Sequence, residues 1–395
     1  MEIKEPEIEK EESDEDEMEE INIDTAELEL IKKNPYNYIC DFYERMFPRT
    51  GKRVFSILSL VPCSILIPKI DSEVKQIKQK ISLLWISPSG SGKTSIGSEF
   101  KKIAYNPLST QKITPARLVY EINKITKNEE VPKLTLIVSD IAQMFSDDEF
   151  IKLLEGVIGD EAEFSRNTMK NAKNGTSKKV DACAYLSGTS KNIFDNKVRD
   201  GILGRTSSLV TFFSENDNEE IINHINSRMG KPIKNNEINI IKDFYQDLYS
   251  IQLGNHKTIE PINGYEISEE IRSEIGRFVL ELKPSKLILQ KWGLTSARIL
   301  EETYRFLVNH AFLNVYNRKI IDNKLVISRE DLIIAKQLAY QESVQTFRIL
   351  RGIEAIDYFN IQTERDLRNF EKKMEQKNKP VSKETDYILR GGLKK

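Results

Sequence analysis

The sequence predicts an α/β protein: a mostly parallel sheet with helices on both faces, followed by a helical region. Three observations predict it. First, residues 81–95, ISLLWISPSGSGKTS, read as a short apolar strand, a turn of small residues and the start of a helix. Second, Leu134–Val138 (LTLIV), Ala182–Leu186 (ACAYL) and Ser207–Phe213 (SSLVTFF) are near-continuous apolar runs. Runs of that kind mark strands buried on both faces of a parallel sheet. Third, from Glu215 to about Thr346 the apolar residues recur every three to four positions, in Ile240–Tyr249, Ser268–Leu282, Ala297–Asn314 and Arg329–Ser343. Strands alternating with helices, then helices alone, give this architecture.

The chain divides accordingly. Residues 1–30 read as an acidic disordered tail. Residues 31–214 read as the α/β domain with its own N-terminal helices, 215–350 as a helical linker and capping domain, and 351–395 as a charged helix that frays. Residues 34–62 carry helical spacing broken at Phe47–Pro48, which predicts two helices. Residues 64–86 predict a strand, a polar helix-like spacer and the strand before the small-residue turn. A helix is expected over Pro115–Lys124, and residues 254–264 form a loop with Gly254, Pro261 and Gly264.

Charge is unevenly placed. Residues 2–20 hold 12 acidic and 2 basic side chains, a net of −10 against −2 for the whole chain, so the body carries +8. A block of like charge stays solvated and unfolded, and here it solubilises the chain or competes with nucleic acid for the basic body. Cys40, Cys63 and Cys183 lie far apart, as do His224, His256 and His310, which supports neither a disulfide framework nor a zinc site. No apolar run approaches the ~20 residues of a membrane helix. The acidic start is the opposite of a signal peptide's, so a reducing cytoplasmic setting is expected.

The turn after Ile86 carries the chemistry. Ser89, Gly90, Ser91, Gly92, Lys93, Thr94 and Ser95 are the expected nucleotide-binding residues. Glycines let backbone N–H groups curl around phosphate oxygens, and the helix N-terminus adds partial positive charge. Lys93 reaches the outer phosphates and the Thr94 hydroxyl holds Mg²⁺. Ser87 stands where the pattern has its first glycine.

Such a loop needs a carboxylate to organise Mg²⁺ and the attacking water. Asp140 ends LTLIVSD, with two registers open. If Asp140 is the metal-orienting acid, Ile141 stands where a catalytic Glu is usual; if Ser139 takes that first position, Asp140 is the base. Asp147, Asp148 and Glu149 read as the start of a helix. After ACAYL, Thr189 or Ser190 can position water against the terminal phosphate. Arg205, after a Gly turn and before an apolar run, suits an arginine directed at a neighbouring subunit's phosphates. Between them Glu155–Lys179 holds an Asn174–Gly175 hairpin signal with Arg166, Lys170, Lys173, Lys178 and Lys179 around it, a candidate phosphate-backbone probe. In GLTSARILEETYRFLVNHAFLN, Thr295 or Ser296 caps a helix, and Arg298 in its first turn opposes the helix dipole unless it meets an anion. That anion is a nucleotide phosphate or, more plainly, Glu301 or Glu302.

The order of these features resembles AAA+ ATPases, and in detail the minichromosome-maintenance (MCM) branch. LTSARILEETYRFLVNHAFL followed by VISREDLIIAKQLA is similar to the MCM lid. The resemblance covers about residues 40–345. It implies Walker A at Lys93 and Thr94, Walker B at Asp140 and sensor 1 at Thr189 or Ser190. It also implies an arginine finger at Arg205, sensor 2 at Arg298, and DNA contacts at Lys170 and Lys173 with Arg166 beside them. The implied protein binds ATP and Mg²⁺ and works as a hexameric, DNA-dependent ATPase, a helicase or translocase in replication, with a separate protein supplying a DNA-binding domain. The chain departs from the family in its short acidic tail, in the missing second Walker B acid, and in GRTSSL for S-R-F-D. The central segment also resembles predicted ATPases of mobile elements and phages, which share a lone Walker B Asp. A nucleotide-switched loader or scaffold with slow hydrolysis is the alternative, and a small-molecule kinase suits the long helical region less well.

Overall fold

The computed structural model describes residues 25–71, 76–110, 120–121, 133–141, 148–159, 163–165, 177–189, 202, 205–211, 213, 215–228, 236–282 and 296–352. The acidic stretch 2–20, most of the helix expected over Pro115–Lys124, and the tail after Gly352 lie outside them. Four helices come first: α1 (Thr25–Lys33), α2 (Pro35–Met46), α3 (Gly51–Leu58) and α4 (Val61–Ser64). α1 starts inside the stretch read as tail. In α2, Pro35 sits at the first helical position, and Tyr36, Ile39, Cys40 and Tyr43 form its buried stripe. The break falls where Phe47–Pro48 predicts it. Arg49 turns the chain at φ 67°, and the Glu44 carboxylate accepts the N–H groups of Arg49 at 2.8 Å and Lys52 at 2.7 Å. An anion there caps α3. Gly51 is required by space, since a Cβ would lie 1.9 Å from the Tyr43 carbonyl oxygen.

The central sheet has five strands: β3 (Leu83–Ile86), β4 (Pro107–Thr110), β5 (Lys133–Val138), β8 (Asp181–Gly188) and β9 (Ser207–Val210). Their spatial order is β4-β5-β8-β3-β9, and every pair is parallel. The apolar runs are therefore strands buried on both faces, as read. The odd-numbered face, with Leu83, Trp85, Ile137, Cys183, Tyr185 and Leu209, belongs to a core shared with Ile96, Phe100 and Ile103 of α5 (Lys93–Ile103). The even-numbered residues Leu84, Leu136, Val138, Ala184 and Leu186 are also buried but lie outside that core. On this side α6 (Asp148–Ile158) packs against β8. Its start confirms the helix read at Asp148 and Glu149.

Residues 64–86 differ from expectation. β1 (Ile70–Asp71) and β2 (Gln76–Ile77) form a short antiparallel pair where a helix-like spacer is expected. β4 was not foreseen. It begins with Pro107 at the sheet edge, a place where proline's missing N–H costs little. Short strands β6 (Glu163–Ser165) and β7 (Ser177–Lys179) pair antiparallel, Glu163 opposite Lys179. The pair is centred near residue 171 rather than on Asn174–Gly175, and that turn signal lies outside the described residues.

The helical region follows the expected order: α7 (Glu215–Arg228), α8 (Asn236–Gln252), α9 (Glu269–Glu281), α10 (Ser296–Leu313) and α11 (Arg329–Gly352). A three-stranded sheet joins them, β10 (Gly264–Glu266), β12 (Lys324–Val326) and β11 (Ile320–Ile321) in spatial order. The core runs without a break from Ile31 through the α5 face of the sheet to Tyr340. Buried tyrosines tie its layers together. Tyr245 of α8 donates to the Ser59 carbonyl at 2.7 Å, and Tyr249 donates to the Ile103 carbonyl at the end of α5. Among the described residues no helix is long and apolar enough to cross a membrane.

Candidate nucleotide site

The chain leaves β3 at Ile86 and turns through Ser87–Gly92 into α5. Gly90 and Gly92 both have φ 82°, a left-handed backbone that glycine adopts without strain. Gly92 caps α5, with the Ile96 N–H bonded to its carbonyl at 2.8 Å. A helix N-terminus leaves its first N–H groups without partners inside the helix, so Lys93, Thr94 and Ser95 present donors. Ser89, Gly90, Thr94 and Ser95 are exposed, and Ser91, Gly92 and Lys93 are half-buried. The Lys93 ammonium lies against the inner wall of the loop, 2.6 Å from the Pro88 carbonyl, 3.0 Å from that of Ser87 and 3.2 Å from Ser91 Oγ. Backbone donors, one cation and small side chains form a donor set that fits a phosphate chain.

Ser87, the departure from the glycine pattern, is built into this loop. It is 2% exposed and its φ is not positive, so no glycine is needed there. Its N–H donates to the Gly188 carbonyl at 3.2 Å, and its hydroxyl pairs with that of Ser91 at 2.5 Å.

α5 is seated tightly on the sheet. At Gly97 a Cβ would lie 2.8 Å from Ser139 Oγ and 3.0 Å from Tyr185 Cε1. The Tyr185 hydroxyl donates to the Lys93 carbonyl at 3.0 Å, which fixes the first turn of the helix. Sequence reasoning missed both residues. The glycine inside the helical stretch KTSIGSEF was the available signal.

Asp140 lies two residues beyond Val138, the end of β5, and is half-buried. The registers place it level with Gly188 and, across β8, with Ile86. Burial pushes the Lys93 ammonium below its usual value, while the Asp140 carboxylate works in the opposite direction. The acid and the lysine therefore share one electrostatic site. Ser187 Oγ donates to the Ser139 carbonyl at 2.8 Å, locking the ends of β5 and β8 together. Thr189 is half-buried beyond Gly188, beside Ser87. The onward connections of β3 and β8 run to opposite edges of the sheet, β3 toward β4 and β8 toward β9. Ligands of open α/β sheets bind outside the carboxyl ends of strands at such a switch point. Ile141, where a second acid is usual, is 0% exposed and part of the packing.

The arginines lie elsewhere. Arg205 is exposed just before β9, and register places it below Leu83, at the amino-terminal edge of the sheet. Six residues of strand at ~3.3 Å each separate that level from Ser87, roughly 20 Å, beyond the reach of its side chain. Its Nε lies 3.1 Å from where a Cβ of Gly159 would be. α10 is anchored at this same edge. Glu302 accepts the Ser207 hydroxyl, Arg305 Nε donates to the Lys78 carbonyl at 3.1 Å, and Asn309 to that of Gln79 at 2.7 Å. Arg298, in the first turn of α10, shares its electrostatic surroundings with Glu302, Arg305 and Glu342 of α11. Ser190, Thr295, Asp147 and the hairpin residues Arg166, Lys170 and Lys173 lie outside the described residues.

Fold and site together define a class: an α/β protein whose five-stranded parallel sheet, flanked by helices, carries a glycine turn, a lysine and an aspartate at its carboxyl edge. Comparison with protein-family models gave no match, and comparison with curated proteins gave none either.

Proposed function

We propose that this chain binds Mg²⁺ and ATP at the loop Ser89–Ser95 and hydrolyses the ATP, as an AAA+ protein of MCM-like kind working in a ring, a hexamer by that resemblance. The observation that carries the reading is the convergence of Lys93, Asp140 and Thr189 at the carboxyl ends of three adjacent parallel strands. When bound, Mg²⁺ and the triphosphate supply the electrophilic phosphorus. The chain's part is positioning. N–H groups of Gly90–Thr94 and the Lys93 ammonium cradle the phosphates, Thr94 faces the metal, and Asp140 and Thr189 order the water. Arg205, out of reach of its own loop, serves a neighbour's phosphates, and Arg298 at the same edge does likewise. The β6–β7 stem supports a hairpin, and with the basic body it supports DNA as the partner and a helicase or translocase as the activity.

The test is ATP hydrolysis with and without single- and double-stranded DNA for wild type, Lys93→Ala and Arg205→Ala. Wild type turns over ATP faster with DNA; each variant alone is inactive, and mixing them restores part of the activity. An Arg205→Ala protein as active as wild type sinks the shared site. One observation favours a second reading, a nucleotide-switched loader or scaffold: Ile141 is sealed in the core, leaving Asp140 without an adjacent acid. Tight ATP binding without turnover, with ATP-dependent capture of a partner, would select it.

A further inference from the structure

The end of β5 offers two polar side chains to the site, and the two faces of the sheet separate them. Ile137 and Tyr185 are paired across β5 and β8, and both approach Gly97 of α5. Ser139, two residues after Ile137, approaches the same glycine, its Oγ 2.8 Å from the Cβ position. Ser139 therefore stands on the α5 face, and Thr94 lies three residues before Gly97 in α5, a spacing that puts the two positions on one face of the helix. Strand alternation carries Leu136, Val138 and then Asp140 to the opposite face. A carboxylate that holds Thr94 and the metal belongs on the α5 side, and a serine is there instead. Ile141 is fully buried and supplies no acid.

We propose that Asp140 is the catalytic residue that accepts the proton of the attacking water, and that Ser139 takes the metal-side position beside Thr94. The inference rests on the ATP-hydrolysing reading above and assigns roles within that site. In the step, water oxygen bonds to the terminal phosphorus and its proton passes to an Asp140 carboxylate oxygen. The bond from that phosphorus to the bridging oxygen breaks, ADP leaves with the electron pair, and the proton then passes to the released phosphate. Asp140 thus stands where a glutamate is usual, one residue after the metal-side position, with a side chain one methylene shorter. Turnover is accordingly slow but genuine.

The experiment measures two quantities on the full chain: the affinity for a fluorescent ATP analogue as Mg²⁺ is varied, and steady-state phosphate release. Asp140→Asn keeps the affinity and its Mg²⁺ midpoint within about threefold of wild type and loses turnover by about 10²-fold or more, the size of a general-base contribution. Retained binding also shows that this variant is folded. Ser139→Ala raises the Mg²⁺ midpoint several-fold. The opposite pattern, an Asp140→Asn midpoint moved tenfold beside an unmoved Ser139→Ala midpoint, overturns the proposal and makes Asp140 the metal-side acid. Wild type that binds Mg·ATP without any phosphate release also overturns it, and leaves the nucleotide site standing. Wild type that binds no nucleotide overturns instead the reading on which it rests.

Discussion

Replacing Gly97 by alanine tests how closely α5 is seated on the sheet. Two effects oppose each other. Alanine is favoured over glycine in a helix interior by ~1 kcal/mol. Against that, the new methyl group meets Ser139 Oγ at 2.8 Å and Tyr185 Cε1 at 3.0 Å. The serine can rotate, at about 0.5–1.5 kcal/mol if driven off its rotamer. The tyrosine ring is fully buried, and its hydroxyl is bonded to the Lys93 carbonyl on the same helix. Relief therefore requires α5 to move, and overpacking of this kind costs ~1–3 kcal/mol. Gly276 of α9 supplies the control, because a Cβ there meets nothing within 4 Å. Gly276→Ala receives the helix gain alone. The difference between the two variants isolates the contact at ~1–3 kcal/mol, with Gly97→Ala the less stable. Urea denaturation with an unchanged m-value measures it. Nucleotide affinity should fall in Gly97→Ala and hold in Gly276→Ala, since α5 carries Thr94. Equal shifts in the two variants would refute the close seating.

Three further outcomes follow from the packing. Asp331 accepts hydrogen bonds from His310 and Arg318 at 2.7–2.9 Å and from the Ser328 N–H at the start of α11. Burial alone would raise its carboxyl, but those bonds draw it from 3.8 to about 2. A depressed value means that the stabilisation is complete above pH ~4 and is lost as pH falls toward 2, on the order of 2 kcal/mol. Asp331→Asn should be destabilised at pH 7 by ~3 kcal/mol and should lack that acid limb, which thermal melts across pH will read. Tyr185→Phe removes the bond to the Lys93 carbonyl and should cost ~1 kcal/mol, with weaker nucleotide binding by titration; unchanged binding argues against a role in holding the loop. Lys80 is buried, donating to the Gly159 carbonyl at 2.5 Å and pairing with Asp181 at 3.0 Å. Lys80→Met leaves the partly buried Asp181 carboxylate only its longer pairing with Lys78 at 3.7 Å and should lower stability by ~1–2 kcal/mol in the same denaturation assay.

What the sequence made legible were the elements with strong local patterns. The apolar runs became β3, β5, β8 and β9 because each is long enough to be buried on both faces. The Phe47–Pro48 break and the helical periods held for the same reason. β4 was hidden because PLST is short and polar, and its strand character comes from pairing with β5. The turn between β11 and β12 did carry a signal: the Asp322–Asn323 pair, with φ 50° and 58°, closes a hairpin between Ile321 and Lys324. In the site, Lys93 and Asp140 were readable from spacing. Whether Ser87 harms the loop was not, since that depends on its backbone angle and on the Gly188 carbonyl 101 residues away. Nor was the face on which Asp140 stands, which is set by the close approach at Gly97.

The sheet has a direction, and that direction bears on how copies of this chain could associate. Its carboxyl edge holds the loop and Asp140, and its amino edge holds Arg205. If the second edge completes the first on another copy, the two surfaces in contact are different, a donor edge meeting an acceptor edge. A two-fold pair serves both loops only if both edges of one copy meet the opposite edges of the other at once, which edges roughly 20 Å apart on one sheet oppose. An open row always leaves one cradle at its end unserved. Only a closed circuit gives every loop its arginine, so full activity would rise with closure rather than with the mere amount of association.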